Sequence, residues 1–226
     1  MNRQIVVIGL GRFGISLATT LSRIGHDVLA IDRDEKCVQT IASQVTHAIT
    51  ADATNEAVLK ELGVGNFDIA VVAIGSGIES SVLTTILLKK LGVSYVIARA
   101  NDELHGSILE RIGADNVVYP EREMGTRIAH GGILIGISDY LPVVPGYGIA
   151  KLAIPPQVVG QRLVSIGIGP KGRWNVAALL LQRKKEVVVN PSQNEVIRQD
   201  DIIVVAGSDE DLERMLADIG KRKNGE

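Results

Sequence analysis

An apolar run, Ile5-Val6-Val7-Ile8, leads straight into Gly9-Leu10-Gly11-Arg12-Phe13-Gly14, and the next apolar run, Val28-Leu29-Ala30-Ile31, is closed by Asp32. The glycine spacing alone is a weak signal. A strand before it, a helix after it and an acid 18 residues beyond Gly14 make it a strong one. Gly9 permits a tight turn, Gly11 lets a pyrophosphate approach the backbone, and Gly14 lets helix pack on strand. The helix N-terminus then offers unpaired N–H donors and a partial positive charge to phosphates. The competing reading is a merely structural glycine-rich turn. Asp32 would accept both ribose hydroxyls and repel a 2′-phosphate, which disfavours NADP despite Arg33 beside it; NAD(H), ATP, ADP and AMP stay open. Read otherwise, Asp32 is a strand-end turn residue.

The alternation continues. Further strands are expected over 47–50, 69–74, 96–98 and 117–119, each bounded by Gly, Asp or Asn and followed by helical spacing, as in Val82, Ile86 and Leu87. Hydrophobic residues make up 46% of the chain but aromatics only 3%, so the core must be built from Ile, Val, Leu and Ala. That suits a parallel sheet covered on both faces. The predicted fold is α/β: a Rossmann doubly wound parallel sheet with right-handed crossovers, joined to a second small α+β domain. The first domain is placed at 1–138, including a helix over 121–130, and the second at 139–226. In the second, a Pro/Gly-rich passage over 140–148 precedes shorter elements at 149–154, 174–182, 186–189 and 202–206. Asp209-Glu210-Asp211 opens a last helix, its acids placed where the dipole favours them.

Other polar residues fall at the carboxyl ends of the strands, where open α/β sheets bind ligands. Asp52 could accept from an adenine amino group or cap the helix starting near Thr54. Gly75-Ser76-Gly77 leaves room for a ligand to lie close. Arg99 could meet a phosphate or be an exposed surface residue. Glu121 beside phosphates would need a divalent cation between them; its alternative is helix capping. Arg12 opposes the helix dipole at a cost of roughly 0.3–1 kcal/mol, and is useful if it reaches a phosphate, across a subunit boundary or within the chain.

Several classes are disfavoured. A net charge of −2 carries no footprint for nucleic acid, and the basic tail Lys221-Arg222-Lys223 is short. Cys37 is the only cysteine, which fits a reducing cytoplasm. No secretory signal fits the N-terminus. The most membrane-like stretch, 128–150, carries Asp139, Pro142, Pro145 and five glycines, so a soluble chain is expected. Tyr147-x-x-x-Lys151 matches the Tyr/Lys pair of short-chain dehydrogenases, but that pair needs a helix and this one sits among Pro145, Gly146 and Gly148. The histidines His26, His47, His105 and His130 lack metal-ligand spacing. There is no Gly-x-Ser-x-Gly elbow and no phosphate-loop lysine. Nothing argues for an enzyme.

At this point the sequence resembles the RCK (regulator of potassium conductance) family, in its Ktr/Trk-type cytoplasmic subunits. The resemblance is carried by Ile8 through Gly14, Ala51-Asp52-Ala53-Thr54, Val72-Ala73-Ile74-Gly75, Ile112-Gly113-Ala114-Asp115, Tyr119-Pro120-Glu121 and Met124-Gly125. Val159-Gly160, 197–201 and 204–207 carry it into the second domain. The order and spacing are specific where each fragment is not, although Gly131-Gly132 departs from the more polar helix expected there. The resemblance implies a homo-oligomer, dimers in an octameric ring, seated peripherally at the inner face of the membrane beneath a separate potassium channel or transporter subunit. A nucleotide in the Rossmann cleft would bias the ring between shapes. It implies ATP or ADP as ligand, NAD(H) as alternative, with Mg²⁺ or Ca²⁺ linked to Glu121. The implied contacts are Gly9, Gly11, Arg12, Phe13, Gly14, Asp32, Arg33, Asp52, Ala53, Ile74, Gly75 and Arg99. In some relatives the second domain binds cyclic di-AMP, and Asn175 and Pro191 lie where that site would be. The alternative is an NAD-dependent oxidoreductase with a small C-terminal substrate domain.

Overall fold

Runs of Val, Ile and Ala that are apolar on both sides bury completely only between two helical layers. The computed structural model, which describes residues 2–131 and 137–221, shows this arrangement. Gly132 and the tail residues Arg222 and Lys223 lie outside the described residues. The chain falls into two compact units, Met1–Pro120 and Glu121–Glu226.

The first unit alternates β1 (Gln4–Ile8), α1 (Arg12–Arg23), β2 (Asp27–Asp32), α2 (Glu35–Ile41), β3 (His47–Thr50), α3 (Glu56–Glu61), β4 (Ile69–Val72), α4 (Ile78–Lys90), β5 (Tyr95–Arg99), α5 (Glu103–Arg111) and β6 (Asn116–Val118). All strand pairs are parallel, in the order β3-β2-β1-β4-β5-β6. Successive side chains go to opposite faces. Val6, Ile8, Leu29, Ile31, Ala70 and Val72 meet Leu59, Leu88 and Leu109 of α3, α4 and α5. Ile5, Val7, Val28, Ala30 and Val71 meet Ala18, Val38 and Ile41 of α1 and α2. Each fully buried Leu or Ile contributes about 1.5–3 kcal/mol. The doubly wound α/β sheet stands as expected, with β4 ending at Val72 rather than at Ile74.

One helix departs from expectation. Val82, Ile86 and Leu87 do not form the buried stripe of α4: Ile78, Leu83 and Ile86 are exposed, while Ser81, Thr84 and Thr85 are fully buried. Small hydroxyl residues let the helix lie close to the sheet, and the Thr85 hydroxyl satisfies itself on the Ser81 carbonyl at 2.8 Å.

The second unit opens with α6 (Pro120–Gly131), followed by β7 (Ile137–Val144), β8 (Tyr147–Ala153), β9 (Ala177–Arg183), β10 (Glu186–Val189), β11 (Ile202–Ser208) and α7 (Asp209–Lys221). Its antiparallel sheet runs β10-β9-β11-β8-β7 around a core that includes Leu152, Leu181, Ile203, Leu212 and Met215. The Pro/Gly-rich passage over 140–148 joins two paired strands. It is a hairpin, turned by Pro145-Gly146, with Gly146 at φ 76° and Val144 opposite Tyr147. Proline suits the first central turn position, glycine the left-handed second. Pro142 is tolerated because β7 is an edge strand. Tyr147 and Lys151 therefore sit on β8 and share no helix face. The strand expected from Trp174 begins at Ala177. No helix among the described residues is long and apolar enough to cross a membrane.

Candidate functional site

The strand order reverses between β1 and β4, and a cleft of about 410 Å³ opens there, within the usual size of a small-molecule site. Its floor is the glycine loop. Gly9 holds φ +96°, and a methyl group on it would press the backbone of Ala73 and Ile74. A methyl on Gly14 would drive into the Gly9 carbonyl oxygen, so this glycine is where helix meets strand. Gly11 differs: nothing of the protein lies within 4 Å of where its Cβ would be. Packing does not require glycine at Gly11, and the open space suits a group that must touch backbone.

Helix capping differs among the helices of this unit. Asp34, Asn55 and Asp102 cap α2, α3 and α5 with their side chains. The helices α1 and α4 begin at Gly11 and Gly77 without a side-chain cap. Their first N–H groups are left for another acceptor.

Asp32 Oδ2 accepts from the Leu10 N–H at 2.5 Å and Oδ1 from the Asp34 N–H at 2.8 Å. Asp52 does not cap α3, a role Asn55 takes by accepting from the Ala57 N–H at 3.0 Å. Asp52 Oδ1 instead accepts from the Thr54 hydroxyl at 2.7 Å and the Thr54 N–H at 2.9 Å. These bonds, with help from Arg33, lower its pKa, so it stands in the cleft as a carboxylate. Arg99 lays its guanidinium over Gly75, where a methyl would collide with it, and Asn101 Nδ2 donates to the Gly75 carbonyl at 2.8 Å.

Of the residues singled out from sequence, Gly9, Gly11, Asp32, Arg33, Asp52, Ala53, Ile74, Gly75 and Arg99 line this one cleft. Arg12, Phe13 and Gly14 form the first turn of α1, with Arg12 exposed and without an ion-pair partner among the described residues. Glu121 belongs to the first turn of α6, in the second unit. Among the described residues no three His, Cys, Asp or Glu side chains cluster as a metal site. Asn175 is exposed before β9 and Pro191 is buried after β10, both toward the open end of that hairpin.

Cys37, Ser80 and Thr84 also line the cleft and were not picked from the sequence. They come from helix faces, and only the seating of α2 and α4 turns them inward. Burial first, then the Asp34 and Asp32 carboxylates, raise the Cys37 thiol pKa.

A Rossmann sheet with a cleft at its strand-order reversal, followed by a small antiparallel domain, defines a two-domain α/β protein. The chain belongs to the TrkA family: the TrkA-N domain matches residues 5–120 and the TrkA-C domain residues 149–220. It is 42% identical over 214 residues to the Ktr system potassium uptake protein C of Bacillus subtilis (strain 168), covering 95% of this chain and 96% of that one. The fold is shared with the GsuK RCK domain, at a TM-score of 0.66 and 17% identity over 99% of this chain and 49% of the other. It is also shared with the GsuK channel bound to NAD, at 0.65 and 17% over 100% and 41%. The resemblance to the RCK family stands.

Proposed function

We propose that the chain is a nucleotide-binding regulatory subunit of a membrane potassium channel or transporter, sitting at the inner face of the membrane through that partner. One observation carries the reading: a cleft with an open Gly11, uncapped helix N-termini and a ribose-ready carboxylate, on a chain alike along almost its whole length to a potassium uptake protein. Asp32 binds the ribose hydroxyls, the α1 N-terminus the phosphates, and Asp52 with Ala53 the adenine. Arg33, Ile74, Gly75 and Arg99 complete the wall. Arg12 reaches a phosphate from its exposed position. The ligand is ATP or ADP, with NAD(H) as the alternative that the same ribose contact permits.

Glu121 acts with Mg²⁺ or Ca²⁺ held largely by the nucleotide phosphates, since one protein carboxylate suffices when phosphates supply the rest. The second domain, placed from residue 139, takes cyclic di-AMP near Asn175 and Pro191. The nucleotide domain is read as 1–138, taking α6 with it, although Cα proximity divides the chain at Pro120. The protein works by binding rather than catalysis. A ligand shifts a ring of subunits only as far as its affinity differs between the ring's shapes. A homo-oligomer is supported by the outward apolar face of α4, where Leu83 is 42% and Ile86 40% exposed; dimers in an octameric ring are the arrangement that the family resemblance implies for it.

Calorimetry with ATP, ADP, AMP and NADH, with and without Mg²⁺, tests the reading. Adenine nucleotides should bind the wild type and bind Asp32→Ala at least tenfold more weakly. No binding by any of the four would refute the nucleotide role, and hydride turnover with NADH would favour the oxidoreductase.

A further inference from the structure

Asp32 stands between two parts of the cleft, and its hydrogen bonds reach both. Oδ2 holds the Leu10 N–H of the glycine loop at 2.5 Å, and Oδ1 holds the Asp34 N–H at 2.8 Å. Asp34 in turn accepts from the Lys36 N–H at 2.9 Å, capping α2. A continuous chain of bonds therefore runs from the glycine loop through Asp32 to the first turn of α2. Leu10 is anchored on its other side too, with its side chain fully buried in the core.

A carboxylate offers about four acceptor positions. Two are used here, which leaves two for a pair of ribose hydroxyls. The Leu10 N–H is drawn to Asp32 and away from the ligand, so the amides open to a diphosphate begin at Gly11, in the uncapped first turn of α1. Without Asp32, the Leu10 N–H loses its acceptor at a part-buried site and the loop can turn to find another.

We infer that Asp32 is a positioning residue for the phosphate-binding loop as well as a ribose acceptor, so that phosphate affinity depends on it even when a ligand has no ribose hydroxyls. This rests on the nucleotide reading above. The two roles separate in a cycle of two ligands, ADP and 2′,3′-dideoxy-ADP, titrated into the full-length wild type, Asp32→Ala and Asp32→Asn.

A ribose acceptor alone would leave dideoxy-ADP affinity the same in wild type and Asp32→Ala. A loop clamp makes Asp32→Ala bind dideoxy-ADP at least fivefold more weakly. Asp32→Asn, which keeps one oxygen for the Leu10 N–H, should recover most of that loss. Melting temperatures without ligand show whether each variant is folded. Should Asp32→Ala fail to fold, Asp32→Asn decides: it must bind dideoxy-ADP within about threefold of wild type while losing more affinity for ADP, and parallel losses for the two ligands would overturn the inference. Equal dideoxy-ADP affinities of wild type and Asp32→Ala, or an Asn variant no better than the Ala one, would overturn it while leaving the nucleotide reading intact. A wild type that binds ADP but no dideoxy-ADP would also count against it, because the hydroxyls would then supply the affinity. A wild type that binds neither ligand removes the nucleotide reading itself.

Discussion

Gly11 and Gly14 make opposite demands of an added methyl group. At Gly14 it would strike the Gly9 carbonyl and come within 3.3 Å of the Ala73 side chain. Gly14→Ala is expected to cost about 2–3 kcal/mol by overpacking, read from urea unfolding. At Gly11 it meets open space and an ordinary negative φ of −70°. Gly11→Ala should change stability by less than about 1 kcal/mol while weakening ADP at least tenfold, since the methyl stands where phosphate must approach. In the second domain, the fully buried Asp201 carboxylate pairs with Arg183 at 2.9 and 3.0 Å. Burial pushes the Asp201 pKa up; Arg183 and the Arg198 N–H more than reverse this and leave it lowered. Its stabilisation is therefore present at neutral pH and lost as pH falls through the ordinary carboxylate range toward the lowered value. Arg183→Met should cost about 3 kcal/mol at pH 7, because the charge it leaves is buried and unpaired. Without the guanidinium, burial raises the Asp201 pKa, so the gap from wild type should narrow toward pH 4 in urea titrations. The glycines of the loop and Asp32 were legible in the sequence because an apolar run before them, helical spacing after them and the acid closing the next run together set their geometry. Gly75 was legible only as a position: that it makes room for Arg99 depends on two strands lying side by side.

At the scale of elements, the strands of the first domain were readable because apolar runs bounded by turn residues leave little choice. The orientation of α4 was not. Its apolar residues are spread around the helix rather than gathered on one face, and buried Ser81, Thr84 and Thr85 reverse the pattern that amphipathic reasoning expects. The β7–β8 hairpin was hidden for another reason. Pro142, Pro145 and Gly146 look like loop chemistry, yet an edge strand and a Pro-Gly turn accommodate all three. The outward face of α4 yields its own prediction. If Leu83 and Ile86 are covered by a second copy of the chain, Leu83→Glu with Ile86→Glu should reduce the mass measured by light scattering to that of a smaller assembly. Its melting temperature in dilute solution should change little, because both side chains already face out. An unchanged mass would take α4 out of the subunit contact.

At the scale of the whole molecule, the proposed regulation requires a nucleotide seated between the glycine loop, the end of β2 and the start of α4. The chain supplies its own reporter. Cys37 is the single cysteine and lines that cleft. Its pKa is raised, chiefly by burial, so its reaction with a thiol reagent should be slow at neutral pH and quicken as pH rises toward and past the ordinary thiol value. The most direct measurement is the rate of Cys37 modification in the intact protein, at fixed pH, with and without saturating ADP. With ADP in the cleft, the rate should slow at least tenfold in the wild type and little in Gly11→Ala at the same ADP concentration. A wild-type rate indifferent to ADP would place the nucleotide elsewhere and contradict the assignment of the cleft.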